Sequence, residues 1–192
     1  MLTLTEEKLT FGFLDDWKVS KFDDWSFYRN QFDKISGALL VCKDPCEGDI
    51  RCIKCNNRKV AGTKAIDILA IDPEGCCWLI EIKDYRQNTR QKSIELADEI
   101  ALKARDTLAA LAAARVNAND ADEKRLAVSA MRCCRLRIVL HLEQPTKHSK
   151  LFPRAIDPAK IKQRLQQLVK AIDPHPLVVE MNNMGNLAWT VN

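Results

Sequence analysis

The sequence predicts an α/β fold of strands interspersed with helices, with a cysteine-rich loop inserted in it. Three observations carry this. Two apolar runs, Ala65–Ile71 and Cys76–Lys83, are separated by the turn residues Asp72-Pro73-Glu74-Gly75 and read as a β-hairpin. Helical spacing of apolar residues recurs before it (about 24–35), after it (about 93–115) and again from residue 157. Further short apolar runs at 38–42, 134–142, 177–181 and 187–191 supply more strands. A chain of 192 residues is long enough for one domain with a sizeable core.

In chain order, Leu9–Phe13 and Trp17–Val19 are strand-like, with Asp15-Asp16 as the turn between them. Asp23 can cap a helix from about Asp24 to Ile35, whose apolar positions are Trp25, Tyr28, Phe32 and Ile35. Ala38–Cys42 is the expected first core strand, and the hairpin follows the cysteine-rich stretch. The long helix, about Ser93 to Arg115, is rich in alanine, which favours helix and allows close packing on a sheet. Its charged Lys103 and Arg105 read as solvated. Residues 117–124 read as a loop and Cys134–Leu142 as a strand. Asp157 with Pro158 at the first helical position starts the last helix, with the apolar stripe Ile161, Leu165, Leu168 and Ile172. Asp173-Pro174 ends it, and strands at Leu177–Met181 and Leu187–Val191 close the chain.

Apolar content of 46% and charged content of 29% are those of an ordinary soluble globular protein. The net charge of +4 permits nucleic-acid binding without arguing for it. No run approaches 18 apolar residues, and the N-terminus lacks a signal peptide's basic and apolar regions. The expectation is a cytoplasmic protein without a membrane span.

The hairpin carries charge where core strands should not. Asp67 lies in the first strand, and Glu81 and Lys83 interrupt the second. A buried, unpaired carboxylate costs several kcal/mol or takes up a proton, so these groups need partners. Two converging carboxylates can hold Mg²⁺, which prefers oxygen ligands and keeps several waters. Such an ion can polarise a phosphate oxygen, and Lys83 can orient a water or stabilise developing charge.

The pattern Asp-x13-Glu-x-Lys, formed by Asp67, Glu81 and Lys83 with Ile82 inside the triplet, resembles the PD-(D/E)xK nuclease superfamily, as a bacterial member. Ile66 stands where that superfamily's proline would be. The resemblance implies a restriction-endonuclease-like core over about residues 24–142, a central mixed β-sheet flanked by helices, with the cysteine-rich insertion at about 42–62 and the C-terminal helix and strands at 157–192 as additions. It implies Mg²⁺- or Mn²⁺-dependent hydrolysis of phosphodiester bonds, in DNA first of all. Asp67 and Glu81 would be metal ligands and Lys83 the third catalytic group. A further acidic residue is expected on the preceding helix, among Asp23, Asp24 and Asp33. Two other readings stand beside it. One is a nuclease-like module that binds nucleic acid or a protein without cutting, and the other a zinc-stabilised regulatory protein.

Cys42, Cys46, Cys52 and Cys55 fall within 14 residues. Four thiolates are the full set for a structural zinc site, and free thiols are the other reading of this loop. Cys76-Cys77 and Cys133-Cys134 read as core thiols. Arg86, Arg90, Lys92 and Lys147 lie in polar connectors and are candidate phosphate contacts. A homodimer is compatible with this reading.

The hairpin register decides whether the two carboxylates can meet. Residues opposite each other in an antiparallel pair project to the same face. A symmetric four-residue loop would put Asp67 opposite Ile80 and send its carboxylate to the face away from Glu81. Convergence therefore requires a loop with an odd number of residues, or a bulge.

Overall fold

The computed structural model describes residues 1–35, 40–41, 59–60, 62–87, 94–145 and 156–192. The chain opens with strands β1 (Leu2–Glu6), β2 (Leu9–Phe13) and β3 (Lys18–Lys21). A 3-10 turn (Phe22–Asp24), the short helix α1 (Ser26–Asn30) and a second 3-10 turn (Phe32–Lys34) come next. Strands β4 (Leu40–Val41) and β5 (Lys59–Val60) precede the hairpin β6 (Ile68–Ile71) and β7 (Cys76–Asp84). Helices α2 (Leu96–Asn117) and α3 (Ala121–Ala130) lead to β8 (Arg135–Glu143), α4 (Pro158–Val169), β9 (Leu177–Val179) and β10 (Thr190–Val191).

The central sheet has five strands in the order β3-β6-β7-β8-β9. β3, β6 and β7 pair antiparallel, whereas β7, β8 and β9 run parallel, so the sheet is mixed as expected. Alternation along the strands divides the core in two. Leu69, Ile71, Cys77, Leu79, Ile138 and Leu140 face the helical layer. Ile68, Ala70, Ile80, Ile82 and Val139 face Leu9, Phe11, Phe13, Trp189 and Val191. These last residues belong to, or adjoin, a second sheet in the order β1-β2-β10. Helices thus cover one face of the central sheet and a small antiparallel sheet covers the other. The expected α/β fold with a mixed sheet and flanking helices is present, with the helices on one face.

Several elements depart from the sequence reading. The helix expected over 24–35 is broken up, because Trp25 takes an extended conformation (φ −58°, ψ 135°). The break lets Trp25, Phe27, Tyr28 and Phe32 all enter the helical-side core. The strand expected at 38–42 is present at Leu40–Val41, and among the described residues it pairs with β5 in a separate two-stranded sheet. The edge position of the central sheet belongs to β3 instead.

The loop expected at 117–124 contains the start of α3. Asp120 caps it, accepting from the backbone N–H groups of Asp122 and Glu123, each at 2.9 Å. Glu123 does not fold back on its own cap. Its carboxylate accepts from the N–H groups of Ser26 (2.6 Å) and Phe27 (3.0 Å), so α3 closes the N-terminus of α1. Replacing Asp120 by alanine should lower stability by about 1 kcal/mol in urea unfolding, the usual value of such a cap. Asp157 caps α4 as expected, accepting from Ala159 N–H at 2.9 Å with Pro158 in the first turn.

Candidate functional site

The hairpin register brings Asp67 and Glu81 together. Ile68 lies opposite Ile80 and Ile71 opposite Cys77, which leaves the five residues 72–76 in the loop. Asp72 organises that odd loop, its carboxylate accepting from Cys76 N–H (2.8 Å) and from the Trp78 indole (2.9 Å). Gly75 holds the turn at φ +78°. Continuing the register one step places Asp67 opposite Glu81, both on the helical face with Leu69 and Leu79.

The backbone around Asp67 is fixed from two directions. Its carbonyl accepts from Phe22 N–H at 2.9 Å. The segment leading into it is stitched to α2, with Ile66 N–H donating to Thr107 Oγ1 (3.1 Å) and Lys64 N–H to Asp106 Oδ2 (3.1 Å). Asp67 Oδ2 accepts from Ile82 N–H at 2.6 Å.

Two lysines complete the cluster. Lys83 Nζ lies 2.5 Å from Glu81 Oε1 and donates to the Ile82 carbonyl at 2.9 Å. Lys103 Nζ, reaching in from α2, lies 2.6 Å from Glu81 Oε1 and 3.2 Å from Asp67 Oδ1. Glu81 is fully buried, and among the described residues its Oε2 has no hydrogen-bond partner. Burial, aided by the Asp67 charge and only partly offset by Lys103 and Lys83, pushes the Glu81 carboxyl up to about 7. Burial pulls both lysines down, but the Glu81 and Asp67 carboxylates outweigh it and raise them above the ordinary lysine range. The half-buried Asp23 lies close enough to feel Asp67, and burial with that repulsion pushes it up to about 6.

Lys103 was read from the sequence as solvated, and that reading is corrected here. The signal was present in its spacing. Lys103 lies three residues after Ile100 and four before Thr107, on the stripe that also buries Glu99, Ala110 and Leu111. An ammonium on a buried stripe implies a buried carboxylate opposite it.

The other candidates are scattered. Arg86 is held by Asp84 through hydrogen bonds of 2.8 and 2.6 Å. Asp24 pairs with Arg29 and, at 3.7 Å, with Lys21, and Asp33 meets the Tyr28 hydroxyl at 3.5 Å, so neither joins the cluster. Arg90, Lys92, Lys147 and the four cysteines Cys42, Cys46, Cys52 and Cys55 lie outside the described residues. Cys76 and Cys77 are buried as expected, while Cys134 is exposed. His141 is buried on the opposite face of the sheet beside Glu143 (2.8 Å).

Asp67 and Glu81 converge on one cation, the Lys103 ammonium. Glu81 also meets Lys83, and the fully buried Glu99 lies close enough to act on Lys83. Among the described residues no three carboxylate, histidine or cysteine side chains gather to hold a metal.

The chain resembles part of a tRNA ligase. It is 35% identical over 213 aligned residues to the cysteine–tRNA ligase of Neisseria meningitidis serogroup A, a match covering 100% of this chain and 30% of that protein. The chain therefore spans less than a third of that relative. No family model matches the sequence, and no solved structure matches it.

This finding corrects the functional expectation. The nuclease family, the hydrolase activity and the deoxyribonuclease reading drawn from Asp67, Glu81 and Lys83 are overturned by a relative named for ligation. The short pattern of Asp67, Glu81 and Lys83 alone does not specify phosphodiester chemistry. The comparison gives no support to DNA as partner or to a homodimer. Among the described residues no helix is long and apolar enough to cross a membrane.

Proposed function

We propose that this chain is a tRNA-contacting module related to a segment of a tRNA ligase. The observation that carries the reading is the 35% identity, over the whole chain, to part of the cysteine–tRNA ligase. The reading assigns the chain a part in holding tRNA and leaves the ligation step to the remainder of such a protein.

The geometry supports a binding role in one respect. Asp67, Glu81, Lys83 and Lys103 lie at the carboxyl end of β7, in the parallel part of the sheet, where open α/β sheets hold their ligands. In this role Lys83 and Lys103 would offer positive charge to a phosphate. Mg²⁺ would bind at Asp67 and Glu81 only with Lys103 withdrawn toward such an anion. Arg86, Arg90, Lys92 and Lys147 are proposed phosphate contacts. A structural zinc ion on Cys42, Cys46, Cys52 and Cys55 belongs to the same proposal. Elemental analysis of the purified protein should then find about one zinc per chain. A metal-free protein would retire that part.

The binding reading is tested by fluorescence anisotropy with labelled tRNA over a series of salt concentrations. Affinity should fall steeply with salt, with a slope of log K against log salt of roughly −2 to −4 for a few Lys and Arg contacts to phosphate. Affinity that is indifferent to salt would overturn it.

A further inference from the structure

An open groove of about 780 Å³ runs between the edge of the central sheet at β3 and helix α3. Its basic side chains are Lys18, Lys124, Arg125 and Arg132, and its carboxylate is Asp122. Arg125 pairs with Asp122. Lys18 touches the Ser129 hydroxyl at 3.3 Å and Lys124 the Val116 carbonyl at 2.8 Å, both neutral groups. Among the described residues, Lys18, Lys124 and Arg132 form no ion pair. Four cations against the single carboxylate Asp122 give this groove a net positive surface.

The strand edge adds backbone donors. Phe22 N–H donates to Asp67 carbonyl, in the register that pairs Lys18 with Ile71 and Ser20 with Leu69. Hydrogen-bonded pairs alternate along an antiparallel ladder, so Lys18 and Ser20 bond inward to β6. Val19 consequently turns its N–H and C=O groups outward, along the groove, and Lys21 does so beside the neighbouring hollow. A second hollow of about 400 Å³ toward the hairpin turn shares Lys18, Ser129 and Arg132, but the carboxylates Asp16 and Asp72 also line it, so the positive surface is confined to the first groove. At the other end, Asp24, Asp120 and Glu123 line a neighbouring hollow and give the groove an acidic limit.

We propose that this groove is the surface on which the tRNA phosphate backbone lies, with Lys18, Lys124 and Arg132 as its phosphate contacts. The inference rests on the tRNA reading above and names the surface that serves it. Phosphates of an RNA strand match both features. They pair with Lys18, Lys124 and Arg132, and they accept from the outward Val19 N–H at the sheet edge. The residues involved are separate from the buried cluster and from the connector residues Arg86, Arg90, Lys92 and Lys147.

The test uses the full chain and labelled tRNA. Lys18→Glu with Arg132→Glu is compared with wild type and with a control, Lys160→Glu with Lys162→Glu on the exposed side of α4. All four residues are exposed, so the fold should hold, and circular dichroism with a thermal melt checks it. Lys18→Gln with Arg132→Gln repeats the comparison without reversing charge. The groove variants should weaken tRNA binding about tenfold or more at low salt and reduce the magnitude of the salt slope by about two. The control should change affinity less than about twofold. Wild-type affinity in both groove variants would overturn the groove and leave the tRNA reading standing. A wild-type chain that binds no tRNA at any salt would overturn that reading itself, and the groove with it.

Discussion

Replacing Lys103 by alanine should destabilise the fold by about 3–5 kcal/mol at pH 8, the usual cost of removing one partner from a buried ion pair. Lys103 is the cation shared by Asp67 and Glu81, at 3.2 and 2.6 Å. Without it, a fully buried Glu81 keeps only Lys83 and gains an uncompensated neighbour in Asp67. The deficit should shrink toward pH 5, because Glu81 can then take up a proton in place of the lost ammonium. Urea unfolding at the two pH values measures this. A loss below about 1 kcal/mol at pH 8 is what an exposed surface pair would give, and would show that the cluster is not closed as described.

Glu81 itself should impose an unusual pH dependence. Its folded pKa of about 7 lies above the ordinary 4.5, so between these values the folded chain holds a proton that the unfolded chain has released. The associated stabilisation is complete below pH 4.5 and is lost as pH rises through 7. A shift of this size corresponds to about 3 kcal/mol. Asp23, raised to about 6, acts in the same direction at lower pH, though its half-exposed position weakens its contribution. His141, lowered by burial, acts in the opposite direction. Both remain in Glu81→Gln, so the difference between the wild-type and variant stability curves isolates Glu81. That difference should fall by about 3 kcal/mol between pH 4.5 and 7.5. Parallel curves would mean that Glu81 titrates normally and is hydrated.

The hairpin was the most legible part of the fold, because its register follows from local chemistry. Asp72 can cap its own turn and Gly75 can take a positive φ, so a five-residue loop forms and Asp67 meets Glu81. The helix caps at Asp120 and Asp157 have equally local causes, although Asp120 was passed over inside an apparent loop. What was not legible depends on contacts distant in sequence. The strand β1 has the alternating polar sequence LTLTE and is recognised only through its pairing with β2. The assignment of β3 rather than Ala38–Cys42 to the sheet edge depends on its pairing with β6.

The candidate site shows the same division. Asp67, Glu81 and Lys83 stood out as charges in apolar strands, whereas Lys103 comes from a helix 20 residues further on and closes the cluster only in three dimensions. Lys103 is the partner that the pattern in the hairpin did not reveal, and the nuclease reading is overturned by the relative rather than by the cluster.

The central claim is that the chain contacts tRNA. The most direct measurement is competition, in which labelled tRNA bound to the purified chain is challenged with unlabelled tRNA and with a DNA duplex of equal charge. The account predicts that tRNA displaces the label at clearly lower concentration than the duplex. A chain that binds the duplex as well as tRNA, or binds neither, would contradict it.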